Sequence, residues 1–340
     1  MRIIIIYNED LDRVISKLGR QNTEIYPISA IKQIEAVFIN RGYDVRLIDG
    51  NLDMFEKLRD LSSGKDDLPF VFNLAYGIQG ESRYSHIPSI LEMLGLPYLG
   101  SGPFGHTLAL DKVMSKILMN KNDILTPFFW LINSPEDFAQ DFEFPVILKP
   151  VYEAGSSGVQ IARKLEELTE LANCLLDEFQ QSVIAEKFIR GREFTLGLLG
   201  NGNNIECLPL VEIDLGGNPD EIYTSEQKLL QPKQKLIADD ITGNLLISLQ
   251  KKAILFFSLL RLKDYARADL RMDADGNFYF LELNSMASLI STGSYMSAAG
   301  YAGFSYDEMI IKLFEVALSK YYEKNQKLRY RIDPKFRPGV

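Results

Sequence analysis

The alternation of apolar and polar positions divides this chain into stretches of different period. Ile3–Ile6 is an unbroken apolar run, too short for a signal peptide, and reads as a first buried strand. Apolar residues then recur at helical spacing over Ile28–Ile39, return to strand runs at Asp44–Ile48 and Phe70–Leu74, and resume helical spacing over Pro88–Leu94. That order favours a parallel sheet with crossover helices. A helix opening near Thr107 carries Asp111, Lys112 and Lys116, and Thr126-Pro127 breaks the pattern. Next come a strand over Val146–Lys149, a Gly/Ser loop, a strand over Val159–Ala162, a helix over Leu165–Phe179 and a strand over Ser182–Phe188. From about Glu193 to Ser319 the pattern is strand-rich, with one long helix over Ile247–Leu260. There is no internal repeat and no low-complexity linker.

Composition narrows the class. With 340 residues, 46% of them hydrophobic, the chain is expected to form two or three units with real cores. A formal charge of -9 speaks against a nucleic-acid partner, whose binding needs basic surface. The run Lys324–Val340 is the exception, carrying Lys324, Lys327, Arg329, Arg331, Lys335 and Arg337 against Asp333, and reads as a solvated or subunit-packed tail. Cys174 and Cys207 show neither metal-ligand spacing nor a disulfide framework, so a reducing cytoplasm fits. No apolar stretch reaches the roughly 18 residues that span a bilayer, and no membrane partner is expected.

The densest chemistry lies in residues 266–284. Asp273-Ala274-Asp275-Gly276-Asn277 reads as the turn of a hairpin. Arg267 and Asp269 are two apart on the first strand, and Glu282 and Asn284 two apart on the second, so each pair points to one face. If the strands pair, those faces can coincide. Two carboxylates and an amide oxygen suit Mg²⁺, which keeps waters and bridges substrate phosphates, and a neighbouring Arg stabilises charge on a transferred phosphoryl group. An ordinary hairpin with a charged solvent face is the other reading. Phe278, Phe280, Leu281 and Leu283 weigh against it, because on a half-buried strand an unpaired Glu282 is costly.

A second constellation is Pro145-Val146-Ile147-Leu148-Lys149-Pro150 followed by Gly155-Ser156-Ser157-Gly158. Backbone N–H groups of a small-residue loop wrap phosphate oxygens closely, and a strand-borne Lys149 reaches the same phosphates as a point charge. The loop is not a P-loop, since Gly-Lys-Ser/Thr does not follow, and alone it reads rather as a flexible hairpin tip. Further on, a strand ending in Glu186-Lys187-Phe188-Ile189 can offer backbone groups to an adenine edge and an apolar wall to its face, while Glu193 can accept ribose hydroxyl protons. An edge strand turning at Gly191 is the plainer alternative.

In order and spacing, these motifs resemble the ATP-grasp ligases of the D-alanine–D-alanine ligase type. The resemblance runs from about Phe70 to Ala299. It rests on Gly95-Leu96-Pro97-Tyr98-Leu99-Gly100-Ser101-Gly102, Leu110-Asp111-Lys112 with Lys116, Lys149-Pro150, Gly155-Ser156-Ser157, Glu186–Ile189, Glu193-Phe194-Thr195 and the 266–284 hairpin. It implies an α/β fold, α+β overall. A parallel-sheet substrate domain would span 1–105, a small central α+β subdomain 106–190, a C-terminal antiparallel-sheet subdomain 191–323 and a basic tail 324–340. It also implies ATP, two Mg²⁺ ions with Mn²⁺ as a substitute, small carboxylate and amine substrates, and a homodimer.

Carried over residue by residue, the resemblance implies that Lys112 and Lys149 contact ATP phosphates and that Ser156 and Ser157 belong to the mobile loop over them. Glu186, Lys187, Phe188, Ile189 and Glu193 would surround adenosine, and Asp269, Glu282 and Asn284 would ligate the metals. Tyr223 and Lys228 match a Tyr and a Lys of the family's lid loop, which puts Lys228 near the transferred phosphate. Arg267, Lys228, Ser156 and Tyr223 are the candidate catalytic residues. The implied reaction forms an amide through an acyl-phosphate and releases ADP and phosphate.

The departures all fall where amino-acid substrates would sit. The family's Gly-rich N-terminal segment, with a Glu for the first D-alanine's ammonium, has no clear counterpart in Tyr7–Asp12, where Glu9 is the stand-in. Tyr76-Gly77 replaces a His-Gly pair, and Arg83 is a candidate ligand for a donor carboxylate. Where the family binds the acceptor with Pro-Gly and Ser-Leu pairs, this chain has Ala287-Ser288 and Gly293-Ser294, making Ser288 and Ser294 candidates. A ligase for other amino acids or short peptides is therefore the expectation beside D-alanyl-D-alanine synthesis. A kinase or ATPase on the same scaffold is a further alternative. The intact set Arg267, Asp269, Glu282 and Asn284 argues against a non-catalytic regulator, and the lack of Gly-x-Gly-x-x-Gly near the start argues against an oxidoreductase.

Overall fold

The structure is a computed structural model that describes residues 1–9, 24–62, 68–134, 137, 142–222 and 232–324. Three sheets organise it. The first is parallel, ordered β2-β1-β3, with β1 (Arg2–Tyr7) between β2 (Asp44–Asp49) and β3 (Phe70–Asn73). Helices α1 (Ile28–Asn40) and α2 (Met54–Ser62) make the crossovers, and α3 (His86–Leu94) follows β3 and leads to Tyr98, which bridges Val71 in parallel. The apolar run of β1 has a reason: Ile3 and Ile5 pack into one core with α1, while Ile4 and Ile6 pack into another with α2 and α3. A strand covered on both faces shows no alternation.

The single helix expected near Thr107 is two, α4 (Pro103–Leu110) and α5 (Lys112–Lys121). Asp111 between them is extended and caps α5, accepting from the Val113 and Met114 amides at 3.0 and 2.9 Å. Both helices pack on the C-terminal sheet through Ala109 and Met119.

The second sheet is antiparallel, ordered β4-β7-β5-β6, from β4 (Phe129–Ile132), β5 (Val146–Pro150), β6 (Gln160–Ala162) and β7 (Val183–Lys187). Helix α6 (Leu165–Phe179) covers one face with Leu168, Ala172, Leu175 and Phe179, a 3.6-period stripe.

The third sheet joins β8 (Arg192–Gly200), β9 (Glu206–Cys207), β10 (Val211–Ile213), β11 (Lys235–Ile237), β12 (Asp264–Met272) and β13 (Phe278–Asn284). Helix α7 (Gly243–Leu259) packs on one face. The last block holds two more helices than expected, α8 (Ser294–Tyr301) and α9 (Tyr306–Lys324). These tie the third sheet to the first: Tyr295 stacks edge-on to Tyr265, and Phe314 stacks edge-on to Phe38 and Phe70. A cleft of about 900 Å³, open solvent at its mouth included, lies between the second and third sheets.

Candidate active site

The hairpin fixes one wall of the cleft. Arg267 pairs with Asn284 and Asp269 with Glu282 across β12 and β13, so the two polar pairs share one face. A bulge follows, because Leu270 pairs with Phe280 and leaves Leu281 without a partner. The extra residue flips the alternation: Phe278 and Phe280 are buried under the sheet, while Leu281, Glu282 and Asn284 line the cleft. Without it, Glu282 would share the core face of Phe280.

Within that wall Arg267 clamps Asp269 bidentately at 2.6 and 2.7 Å. The Asn284 amide reaches Asp269 at 2.9 Å and Glu282 at 3.2 Å. Burial acts to lower the pKa of Arg267, and the Asp269 charge outweighs it, so the guanidinium stays charged.

The opposite wall carries cations. Lys112 occupies the first turn of α5, where the helix dipole and burial both disfavour an ammonium. Its ammonium donates to the Val151 and Glu153 carbonyls and stands 3.9 Å from Glu282. Burial draws its pKa down and Glu282 opposes the shift. Glu186 on β7 is 2% exposed between Lys149 at 2.9 Å and Lys116 at 3.3 Å. Burial acts to raise the pKa of Glu186, but the two ammoniums prevail and lower it. Burial also works against Lys149, yet Glu186 and Glu282 shift it upward on balance. At Lys116 burial wins, and its pKa falls to about 8 against the pull of Glu186.

The loop between β5 and β6 crosses the mouth. Gly155 and Ser156 both take left-handed backbone, at φ 64° and 66°, an uncommon conformation for serine. Gly158 is required by space as well, since a Cβ would stand 2.7 Å from Pro150 and 2.8 Å from Phe179. Ser156 and Ser157 line the cleft, as do Lys187, Phe188, Ile189 and Glu193. The Lys187 and Phe188 amides are committed to the Phe128 and Pro145 carbonyls at 2.8 and 3.1 Å, and the Lys187 ammonium turns outward to Glu143.

The region expected to take the amino acids is already internally paired. Arg83 is 3% exposed and committed to Glu24 at 2.9 Å, Glu153 at 3.3 Å and the Tyr152 carbonyl at 2.6 Å, so a donor carboxylate meets it already paired. Tyr76 stacks on Tyr26, and Tyr84 donates to Glu24 at 2.6 Å. Asn8 sets Tyr76-Gly77, accepting the Tyr76 amide at 2.9 Å and donating to the Gly77 carbonyl at 3.2 Å. Ser288 neighbours the Tyr26 hydroxyl, which accepts from the Leu289 amide at 2.9 Å. Ser294 is buried at the start of α8, and Glu9 is exposed beside Asp49. Tyr223, Lys228 and the tail beyond Lys324 lie outside the described residues.

Sequence reasoning gave no role to Lys116, Arg271, Glu24, Tyr84 or Glu153. Lys116 was legible, one helical turn after Lys112. Arg271 continues the period-2 row from Arg267 and Asp269, and its guanidinium holds the Gly191, Pro219 and Glu221 carbonyls while lying 4.7 Å over Phe188.

This cleft, walled by β5, β7, β12 and β13, lies mostly within residues 126–315, which match the family model described as the D-ala D-ala ligase C-terminus. The chain belongs to the D-alanine–D-alanine ligase family. A D-alanine–D-alanine ligase of Cupriavidus pinatubonensis is 32% identical over 73% of this chain and 75% of its own length. An uncharacterised protein of Sinorhizobium fredii, y4sG, is 35% identical over 95% of this chain and 98% of its own. In fold, the chain matches the crystal structure of D-alanine–D-alanine ligase from Bacillus anthracis complexed with ATP, with a TM-score of 0.75 at 23% identity, covering 96% and 100% of the two chains. Within the family the chain is an ATP-grasp enzyme, an ATP-dependent carboxylate–amine ligase. No helix among the described residues is long and apolar enough to cross a membrane.

Proposed function

We propose that the chain joins a small carboxylate donor to a small amine acceptor through an acyl-phosphate, and that its substrates are amino acids or short peptides. The observation that carries this reading is the convergence, on one cleft, of Lys112 and Lys149 with Arg267, Asp269, Glu282 and Asn284. A nucleotide's adenine would meet the backbone of Ile189, since the Lys187 and Phe188 amides are already engaged, with Glu193 toward the ribose.

Metal binding fits the donor chemistry. Asp269, Glu282 and Asn284 meet through the Asn284 amide and offer hard oxygens, with neither thiolate nor imidazole among them. In this reading Asp269, Glu282 and Asn284 would hold Mg²⁺, two ions, or Mn²⁺, whose charge would be available to neutralise phosphate oxygens. Lys112 and Lys149 hold those oxygens, and the donor carboxylate attacks the γ-phosphorus with ADP leaving. A neutral amine then attacks the acyl carbon, phosphate departs, and Arg267 stabilises the oxyanion. Ser156, Ser157, Tyr223 and Lys228 enter the reading as the cover that keeps water out.

Tyr76 and Ser288 stand where D-alanine ligation uses other residues, so the favoured product is an amide other than D-alanyl-D-alanine. A cytoplasmic homodimer, with the three domain limits given above, belongs to the same reading. The test is Mg²⁺-dependent ADP release against D- and L-amino acids, singly and in pairs, with mass spectrometry of products. Release that needs both a carboxylate and an amine is expected; phosphate release without an amine would replace the ligase reading with an ATPase or kinase.

A further inference from the structure

We propose that Arg83 is a positioning residue that fastens the Gly/Ser loop to the N-terminal domain and so keeps water from the acyl-phosphate; this rests on the ligase reading above. Arg83 belongs to a short 3₁₀ turn, Arg83–Ser85, just before α3. Its NH1 donates to the Tyr152 carbonyl, and its NH2 reaches both Glu24 and Glu153. Tyr152 and Glu153 lead directly into Gly155-Ser156-Ser157-Gly158. The same segment is held by Lys112, which donates to the Val151 and Glu153 carbonyls. Gln181 completes the grip, accepting the Tyr152 amide at 2.7 Å and donating to Glu153 at 3.0 Å.

The electrostatics give the link its strength. Glu24 and Glu153 are 18% and 15% exposed, and Arg83 is the guanidinium between them. Remove it and two half-buried carboxylates face each other across the join between domains. The Nε of Arg83 is buried without an acceptor, so this side chain bears a desolvation cost at its place. Two of the three residues that the Arg83 guanidinium hydrogen-bonds, Tyr152 and Glu153, lie on the phosphate-side segment, and the third, Glu24, also holds the Tyr84 hydroxyl on the substrate side. The guanidinium therefore links the two substrate regions.

Two readouts test this in the full chain. The first is the ADP released per amide formed with an active donor–acceptor pair. Arg83→Met should raise it at least about threefold, as water reaches the intermediate, and Arg83→Lys should restore part of the coupling. The second is hydrogen exchange at the amides of residues 154–158 with Mg²⁺ and the non-hydrolysable analogue AMP-PNP. Arg83→Met should speed it about tenfold. If Arg83→Met does not fold, Glu153→Gln weakens the same link without orphaning a charge and should speed exchange by a smaller factor. Exchange unchanged in the variant that folds, or coupling unchanged in Arg83→Met, overturns the proposal. Absence of ADP release from the unmodified chain with every pair defeats the ligase reading instead, and the exchange experiment still decides whether Arg83 holds the loop.

Discussion

On the nucleotide side of the cleft, Lys149 and Glu186 sit on neighbouring strands and Lys112 and Lys116 on one helix, so short local patterns deliver the charges. On the side proposed for the amino acids, Glu24, Tyr26, Tyr76, Arg83 and Ser288 meet across turns, with Leu289 and Tyr26 separated by 263 positions. The first side is regular structure with a fixed register. The second is assembled from loops, which tolerate change because little of the fold depends on their course. On the proposed reading, that difference lets one chain hold the nucleotide with regular elements while its substrate residues vary.

Changes on the two sides should therefore fail differently. The largest effect is expected from Glu282→Ala, which removes from β13 a carboxylate proposed to ligate metal. ADP release should fall about a thousandfold or more with every substrate pair while circular dichroism stays native. A variant that keeps its turnover would remove Glu282 from the metal set. Arg267→Ala should lower kcat about a hundredfold for every pair and leave ATP affinity nearly unchanged, as expected of a group acting on developing charge. An equal loss in ATP binding would make Arg267 a nucleotide ligand.

Tyr76→His, which restores the family's residue, should alter the ratio of kcat/KM between D-alanine and the preferred donor by about tenfold, with the ATP KM unmoved. A uniform loss across donors would place Tyr76 in the scaffold and blur the contrast between the two sides. The smallest effect concerns Lys116. Its folded pKa is about 8 against an ordinary 10.5, so between those values the unfolded chain binds more protons. Stability contributed by this group should rise with pH across that window, by on the order of 1–2 kcal/mol, and Lys116→Met should lack the rise in urea titrations. A parallel pH dependence in both proteins would show that Lys116 titrates normally.

Much of the nucleotide side was legible because strands and helices have fixed periods. The two-residue spacing of Arg267 with Asp269 and of Glu282 with Asn284 put each pair on one face of its own strand, and the bulge at Leu281 brought the two faces together. The split at Asp111 was hidden because an aspartate within a helical pattern reads as solvent-facing until its carboxylate is seen capping the next helix. Helix α9 was passed over despite Met309, Ile310, Leu313, Phe314, Ala317 and Leu318, an apolar stripe at helical spacing. At Arg83 the sequence shows a cation in a loop but not the carboxylates that reach it.

By itself the sequence determined the buried strand at Ile3–Ile6, the placement of Lys112, Lys149 and Glu186 on ordered elements, and a hairpin with one polar pair on each strand. Each follows from a local rule of period, capping or turn formation. Tertiary structure alone decided that Leu281 would bulge, turning Glu282 from the core into the cleft. It alone brought Glu24 to Arg83 over 59 positions and set Glu153 beside them. Those outcomes depend on which sheet packs against which, and contacts between distant segments leave no periodic trace in the chain.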